Sequence, residues 1–358
     1  MKILSVINKN IISLKAPSDI NEFENILVVS NSGLGDTLLS TPAIISLRKS
    51  FPEKKITFLV NKKMFPLFKD FEFVDSIVLY SSGFFQQLRI IFTLRRLKID
   101  TVFLYHSNGP EDIFFSILSG ARNILKATNN TNHEFKDIFL NKLNGSDAHN
   151  IEKKLDLVKI FNPRKISKRM LLPSNFYQAK SSNTHPNEEL LIGFQMGAQD
   201  IYKMWPTDNF IEVFRSIESR YKNLKIVLLG SSNYEKKLAN YFLENVKDKK
   251  IINMCGKTQI QDLPLIIKSL DLLLTNDTGT LHLAIALKIK TISLFGPTNS
   301  KEFGPYQDLN IHHVIQEEGS FVNRLPKKQR NQDGMELIKV DTVIKSINKL
   351  IPKKCLNL

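Results

Sequence analysis

Three stretches of this 358-residue chain set small residues beside a carboxylate, a lysine or a histidine, the combination that phosphate and sugar-hydroxyl chemistry requires. The first is Ser32-Gly33-Leu34-Gly35-Asp36-Thr37, directly after the apolar run 25–30. Glycines at a strand-to-helix corner allow torsions and close approaches that a β-carbon would block, so a substrate can sit against the loop. The third glycine of a dinucleotide fingerprint falls on Leu38, which separates the stretch from that motif. Asp36 has two readings. As a cap it accepts hydrogen bonds from the N–H groups that follow, with Thr37 helping. As a general base aimed into a crevice it turns a sugar hydroxyl into a nucleophile. Pro42 places the start of the helix at Thr41, with the proline in the first turn.

The second stretch is Gly193-Phe194-Gln195-Met196-Gly197-Ala198, followed by Lys203, Trp205 and Pro206. A strand that runs into a small-residue turn with a lysine close behind offers backbone donors and one cation to a phosphate. Lys203 by itself reads equally well as a solvated loop lysine. The third stretch, from Leu274 to Ala284, is the most specific. A buried strand ends in Asp277 and Thr278 as a capping pair, and Gly279 leaves the first N–H groups of the next helix open to a diphosphate. His282 lies one turn in, on the Gly279 side. Its alternative reading is a core histidine between Leu281 and Leu283.

Two resemblances in miniature fail. Gly256-Lys257-Thr258 imitates the end of a P-loop, but the upstream glycine falls on Ile251. Asp277-Thr278-Gly279 matches the aspartic-protease triplet, whose paired carboxylates need all-β lobes rather than a strand-to-helix corner. His312 and His313 lack acidic or cysteine partners at ligand spacing and read as surface or strand residues, so no metal site is expected.

The elements that position these stretches alternate short β-branched-rich runs with longer helical patterns, the mark of a parallel sheet wound on both faces. The alternation occurs twice, predicting an α/β chain of two Rossmann-like, doubly wound domains that face a central cleft. Strands are predicted at 25–30, 55–60, 76–80, 101–105 and 123–127, then at 190–195, 225–229, 251–254, 271–275 and 291–295. Helices are predicted at 84–98, where Leu88, Ile91, Phe92 and Arg95 share helical spacing, and at 207–220, 234–246, 261–269 and 278–287. The polar stretch 173–187 reads as the linker. Domains of 1–180 and 188–335 follow, with 336–358 carrying a last helix at 340–350 that is expected to pack back on the first half.

Two cysteines, Cys255 and Cys355, are too few for a disulfide framework and suit a reducing compartment. The amino-terminal apolar stretches are broken too early for a signal-peptide core, and no run approaches the ~20 apolar residues of a spanning helix. A cytoplasmic protein, soluble or peripheral on the cytoplasmic face of the inner membrane, is the expectation. The net charge of +15 draws anionic partners. The lysines and arginines are scattered, with small clusters at Lys153, Lys154 and at Lys327, Lys328, Arg330, and carry no nucleic-acid motif. They read as a solvated surface, or as attraction to an anionic membrane or phosphorylated glycolipid.

In this order the stretches resemble glycosyltransferase family 9, the lipopolysaccharide core heptosyltransferases, over nearly the whole chain. The opening S-x-L-G-D and T-P-A motifs stand as SGLGDTLLSTPAIISLRKSFP, the central G-A-x-x-x-x-K-x-W-P as Gly197-Ala198 through Lys203, Trp205 and Pro206. The D-T-G-x-x-H-L-A-x-A-L motif runs from Asp277 to Leu287, and F-G-P-T from Phe295 to Thr298. Where many relatives carry cysteines before the last helix, this chain reads SFVNRLPKKQRNQDGMELI.

The resemblance implies GT-B architecture and metal-independent, inverting transfer of a sugar, a heptose from ADP-heptose as the family expectation, onto a lipopolysaccharide or lipooligosaccharide core. The first domain would bind the acceptor along Ser32, Gly33, Leu34 and Gly35, with Asp36 as base. The second would bind the nucleotide sugar, Lys203, the Thr278 and Gly279 backbone and His282 stabilising the departing diphosphate in place of a metal ion. Gln195, Met196, Gly197, Gly230 and Asp277 would line that site, Glu235 would hold the donor and Thr258 would contact the nucleobase. No cofactor is implied beyond the nucleotide-sugar substrate. The alternatives are a nucleotide-sugar epimerase of similar architecture, a relative with another donor or a non-lipid acceptor, a two-lobed solute-binding protein, and an inactive nucleotide-binding paralogue.

Overall fold

A computed structural model of the chain describes residues 23–106, 111–127, 147–178, 189–320, 331–352 and 355–356. Two compact units meet at Pro173 and Ser174, inside the expected linker, whose remainder at 179–187 lies outside the described residues.

The first unit carries a sheet of β1 (Asn25–Ser30), β2 (Lys55–Asn61), β3 (Ser76–Tyr80), β4 (Thr101–His106) and β5 (Asn123–Lys126) in the order β3-β2-β1-β4-β5. Every pairing is parallel, and β1 and β4 are buried almost throughout because helices cover both faces. Helix α1 (Leu34–Ser50) follows β1, α2 (Phe84–Arg96) follows β3 and α3 (Glu111–Leu118) follows β4. Helix α4 (Asn150–Lys159) buries Ile151, Leu155 and Val158 and packs on α1.

Helix α1 begins at Leu34, seven residues before the expected Thr41, so Pro42 lies inside it. A proline there cannot donate to the carbonyl four residues back. The Leu38 carbonyl instead accepts from the Thr41 hydroxyl at 2.8 Å. The same hydroxyl accepts from Leu171 N at 3.1 Å, while the Ser46 and Ser50 hydroxyls accept from Ser167 N at 2.9 Å and Lys165 N at 3.0 Å. The segment around 165–171 is thus tied to α1 by buried hydroxyls, with Met170 buried beside them.

The second unit carries β6 (Leu190–Gln195), β7 (Leu224–Leu228), β8 (Ile251–Asn253), β9 (Leu272–Asn276), β10 (Lys290–Leu294) and β11 (His312–Ile315), ordered β11-β10-β9-β6-β7-β8 and parallel throughout. Helices α5 (Thr207–Ile217), α6 (Asn233–Val246), α7 (Leu263–Lys268) and α8 (Gly279–Ala286) connect them. The last helix, α9 (Val340–Leu350), belongs to the core of the second unit. Its Val343, Ile347 and Leu350 join Phe210, Phe214, Ile226 and Ile292 in the core of the second unit, completing the layer beside α5.

The strands lie within a residue of their expected ends, and β11 is an addition that places His312 and His313 on a sheet edge. Lys154, expected on a solvated surface, is fully buried in α4. The Lys327, Lys328 and Arg330 cluster lies outside the described residues.

Candidate active site

In a doubly wound sheet the crevice opens beyond the carboxyl ends of the two strands where the winding reverses. In the first unit those strands are β1 and β4. The chain leaves β1 through Asn31 and Ser32, turns at Gly33 and enters α1, where Leu34, Gly35 and Asp36 form the first turn. Gly33 has φ −80° and ψ 179°, and a β-carbon there would meet nothing within 4 Å. Torsion therefore does not demand glycine here; what remains of the expectation is room for a ligand against the backbone.

The N-cap of α1 is Gly33, which has no side chain to cap the helix and whose carbonyl accepts from the Thr37 hydroxyl at 2.9 Å. Asp36 Oδ2 accepts from the Ser32 hydroxyl at 2.5 Å, and its Oδ1 lies 3.3 Å from Nδ1 of His106. The Asp36 side chain keeps 29% of its surface exposed and that of His106 27%, so the pair faces outward. His106 ends β4, where the β1 to β4 register slips: Val29 pairs with Leu104 but Ser30 with His106, leaving Tyr105 as the extra residue. Such a bulge re-aims the side chain that follows it.

Behind this pair, the Lys154 ammonium donates to Asn150 Oδ1 at 2.5 Å. Burial pushes its pKa down to about 8, against the pull of the Asp36 carboxylate. Asn31 donates to Asp112 Oδ1 at 2.5 Å, tying the end of β1 to α3.

In the second unit the reversal lies between β6 and β9. Buried Asn276, at the end of β9, donates to the Met196 carbonyl at 2.7 Å and accepts from Trp205 N at 3.1 Å, joining the two strand ends to the segment that carries Lys203. Lys203 closes the 3₁₀ turn Ile201–Lys203, and its Nζ donates to Asp277 Oδ2 at 2.6 Å. The same oxygen accepts from the Thr298 hydroxyl at 2.9 Å. Asp277 is thus a partner of Lys203 and Thr298, and the expected Asp277 and Thr278 capping pair does not form: Thr278 is the N-cap of α8 and no side chain caps the helix. The Leu281 N–H donates to the Thr278 carbonyl at 3.2 Å, and the Thr278 side chain makes no bond to the first turn of α8. His282 is buried one turn along α8.

Glu235 opens α6. Its Oε2 accepts from Ser231 N at 2.9 Å and Ser232 N at 2.8 Å in a capping box, and its Oε1 accepts from Gln195 Nε2 at 2.6 Å. Gly197 and Gly230 are glycines because this side chain lies on them. A β-carbon on Gly197 would come within 2.2 Å of Glu235 Cγ, and Gly230 adopts φ +158°. Gly256 N donates to the Gly230 carbonyl at 2.8 Å, which brings the loop with half-buried Thr258 to the same end of the sheet.

Ser32 to Asp36 therefore converge in the first unit, and Gln195, Met196, Gly197, Lys203, Gly230, Glu235, Thr258, Asp277, Thr278, Gly279 and His282 gather at the carboxyl ends of β6 to β9 in the second. His106, Asn276, Thr298 and Lys154 belong to these surroundings and were not read from the sequence. Two of them had a signal, Thr298 as the last residue of the F-G-P-T motif and Asn276 as a member of the stretch from Leu274 to Ala284. Among the described residues no cluster of three or more histidine, cysteine, aspartate or glutamate side chains is arranged to hold a metal ion.

The sequence profile of glycosyltransferase family 9 (heptosyltransferase) matches residues 145–330, just over half of the chain. The chain belongs to glycosyltransferase family 9. It is 25% identical over 285 residues to lipooligosaccharide heptosyltransferase 2 of Campylobacter jejuni serotype O:2, covering 78% of this chain and 83% of that one. In fold it is similar to a family 9 glycosyl transferase from Veillonella parvula, with a TM-score of 0.72, 21% identity, and 94% and 99% of the two chains covered. It is similar also to the ADP-heptose lipopolysaccharide heptosyltransferase II of E. coli, with a TM-score of 0.70, 20% identity, and 91% and 98% covered. The family 9 chain is thus a glycosyltransferase of the GT-B fold, and its two parallel sheets are the two Rossmann-like halves of that fold.

Proposed function

We propose that the protein transfers a heptose from ADP-heptose to a sugar hydroxyl of a lipopolysaccharide or lipooligosaccharide core, working at the cytoplasmic face of the membrane that carries this acceptor. The first unit binds the acceptor along Ser32 to Gly35 and the second binds the nucleotide sugar. Asp36 accepts the proton of the acceptor hydroxyl. The freed oxygen attacks the anomeric carbon opposite the diphosphate, the bond from that carbon to the diphosphate oxygen breaks, and the configuration inverts. Charge that develops on the leaving diphosphate meets Lys203, the N–H groups at Thr278 and Gly279, and His282, so the reaction needs no metal ion.

The observation that carries this reading is the outward-facing Asp36 carboxylate, steadied by Ser32 and His106 at the first sheet's reversal point. An epimerase of similar architecture is not favoured, since the family match and the relatives are heptosyltransferases. On the donor side, Glu235 acts by fixing Gln195, whose Oε1 lies 3.4 Å from the Thr280 hydroxyl. Thr258 meets the nucleobase.

The test is incubation with ADP-heptose, with and without purified heptose-deficient core lipid, in the presence of EDTA. ADP release that requires the acceptor and survives EDTA is the expected result. Acceptor-independent turnover, or loss of turnover with EDTA, contradicts the reading.

A further inference from the structure

Helix α2 is apolar on two opposite sides. It buries Ile90 and Leu94 in the core cluster that also holds Leu27, Leu104 and Ile117, yet it leaves Phe84 at 69%, Phe85 at 80%, Leu88 at 37% and Phe92 at 64% exposure. At 100° per residue Leu88, Phe92 and Phe85 fall within one narrow stripe, centred opposite Ile90 and Leu94. Arg89 and Arg96 border that stripe on one side and Arg95 on the other, and the sequence FFQQLRIIFTLRR holds no acidic residue. Three exposed phenylalanines on one helix are far more than the scattered apolar residues of an ordinary surface.

We propose that this face of α2 seats the protein on an anionic lipid surface, the phenylalanines entering the headgroup boundary and the arginines meeting lipid phosphates. The charge pattern selects the occupant. Two copies of the stripe brought face to face would oppose arginine to arginine, whereas anionic headgroups complement it, as they complement the net charge of +15. An interfacial helix of this kind binds through buried apolar area plus attraction to anionic lipid. The inference rests on the proposed membrane-borne acceptor and supplies the element by which the acceptor unit meets it.

The full chain is floated with vesicles of 3:1 phosphatidylethanolamine and phosphatidylglycerol, or of phosphatidylcholine alone, across a salt series with no donor or acceptor present. Binding to the anionic vesicles that weakens with salt is expected. Phe85→Ser with Phe92→Ser should lower partitioning roughly a hundredfold, and Arg89→Glu with Arg96→Glu should abolish the preference for anionic lipid. ADP calorimetry on the same samples reports the nucleotide site separately, so failure of the transfer reading is distinguishable. Because the single natural tryptophan, Trp205, is buried, Phe85→Trp adds a probe whose emission should shift to the blue with vesicles and be quenched by brominated acyl chains even where the serine variants fold poorly. Wild-type protein that stays with the soluble fraction, serine variants that float as wild type does, emission from the Phe85→Trp variant that is indifferent to lipid, or a concentration-dependent dimer that the serine variants dissolve would each overturn the proposal.

Discussion

Lys203 and Asp277, 74 residues apart in sequence, meet with Nζ 2.6 Å from Oδ2 at the mouth of an uncapped helix. The carboxylate holds in place the cation that the proposed reaction aims at the diphosphate. Asp277→Asn keeps the shape and removes the charge. It is expected to lower kcat roughly tenfold through lost orientation, while ADP affinity stays within a few-fold because a competing negative charge also disappears. Lys203→Ala is expected to lower kcat by roughly 10²- to 10³-fold. Steady-state kinetics with ADP calorimetry separates the two variants.

His106 Nδ1 lies 3.3 Å from Asp36 Oδ1, and removing that contact lets the carboxylate sample more orientations. His106→Ala is expected to lower kcat roughly tenfold with ADP affinity unchanged. His106→Asn, whose amide still donates, should recover part of the loss in the same assay.

Legibility in the sequence followed the range of the interactions involved. The strands were readable because parallel strands covered on both faces are near-continuous apolar runs, as at Leu190–Gln195. The site stretches were readable because each lies within a dozen residues of a strand end. His106 was hidden because a one-residue register slip aims it. Lys154 was hidden because Lys153-Lys154 looks like any solvated pair until α4 packs on α1. The start of α1 was misplaced because Pro42 reads as a first-turn residue unless the Thr41 hydroxyl is known to satisfy Leu38. The outward apolar face of α2 follows the same period as a core face, and periodicity alone cannot say which side faces the sheet.

Lys154 sets a stability signature on the alkaline side. Its folded pKa of about 8 lies below the ordinary value of 10.5, so between those values the unfolded chain binds more protons and stability rises with pH. Below pH 8 the full cost applies, about 3 kcal/mol. Lys154→Met is expected to flatten this rise in urea melts across pH 8 to 10.5.

His312 acts in the acid range. Burial lowers its pKa from 6.5 to about 4, its Nδ1 lies 2.9 Å from the Thr291 hydroxyl, and its Nε2 is buried without a partner. The unfolded chain binds more protons between those values, so stability falls as pH drops from 6.5 to 4, by about 3 kcal/mol in all. His312→Asn should remove most of that slope in denaturant melts, whatever its effect at neutral pH.

Asp36→Asn bears most directly on the proposed chemistry, since it preserves size and the bond from Ser32 while abolishing the base. Kinetics with ADP-heptose and core lipid, beside ADP calorimetry, should show kcat reduced by roughly 10²- to 10⁴-fold with ADP affinity unchanged. An Asp36→Asn protein that transfers the sugar at near the wild-type rate would contradict the assignment of this carboxylate as the base.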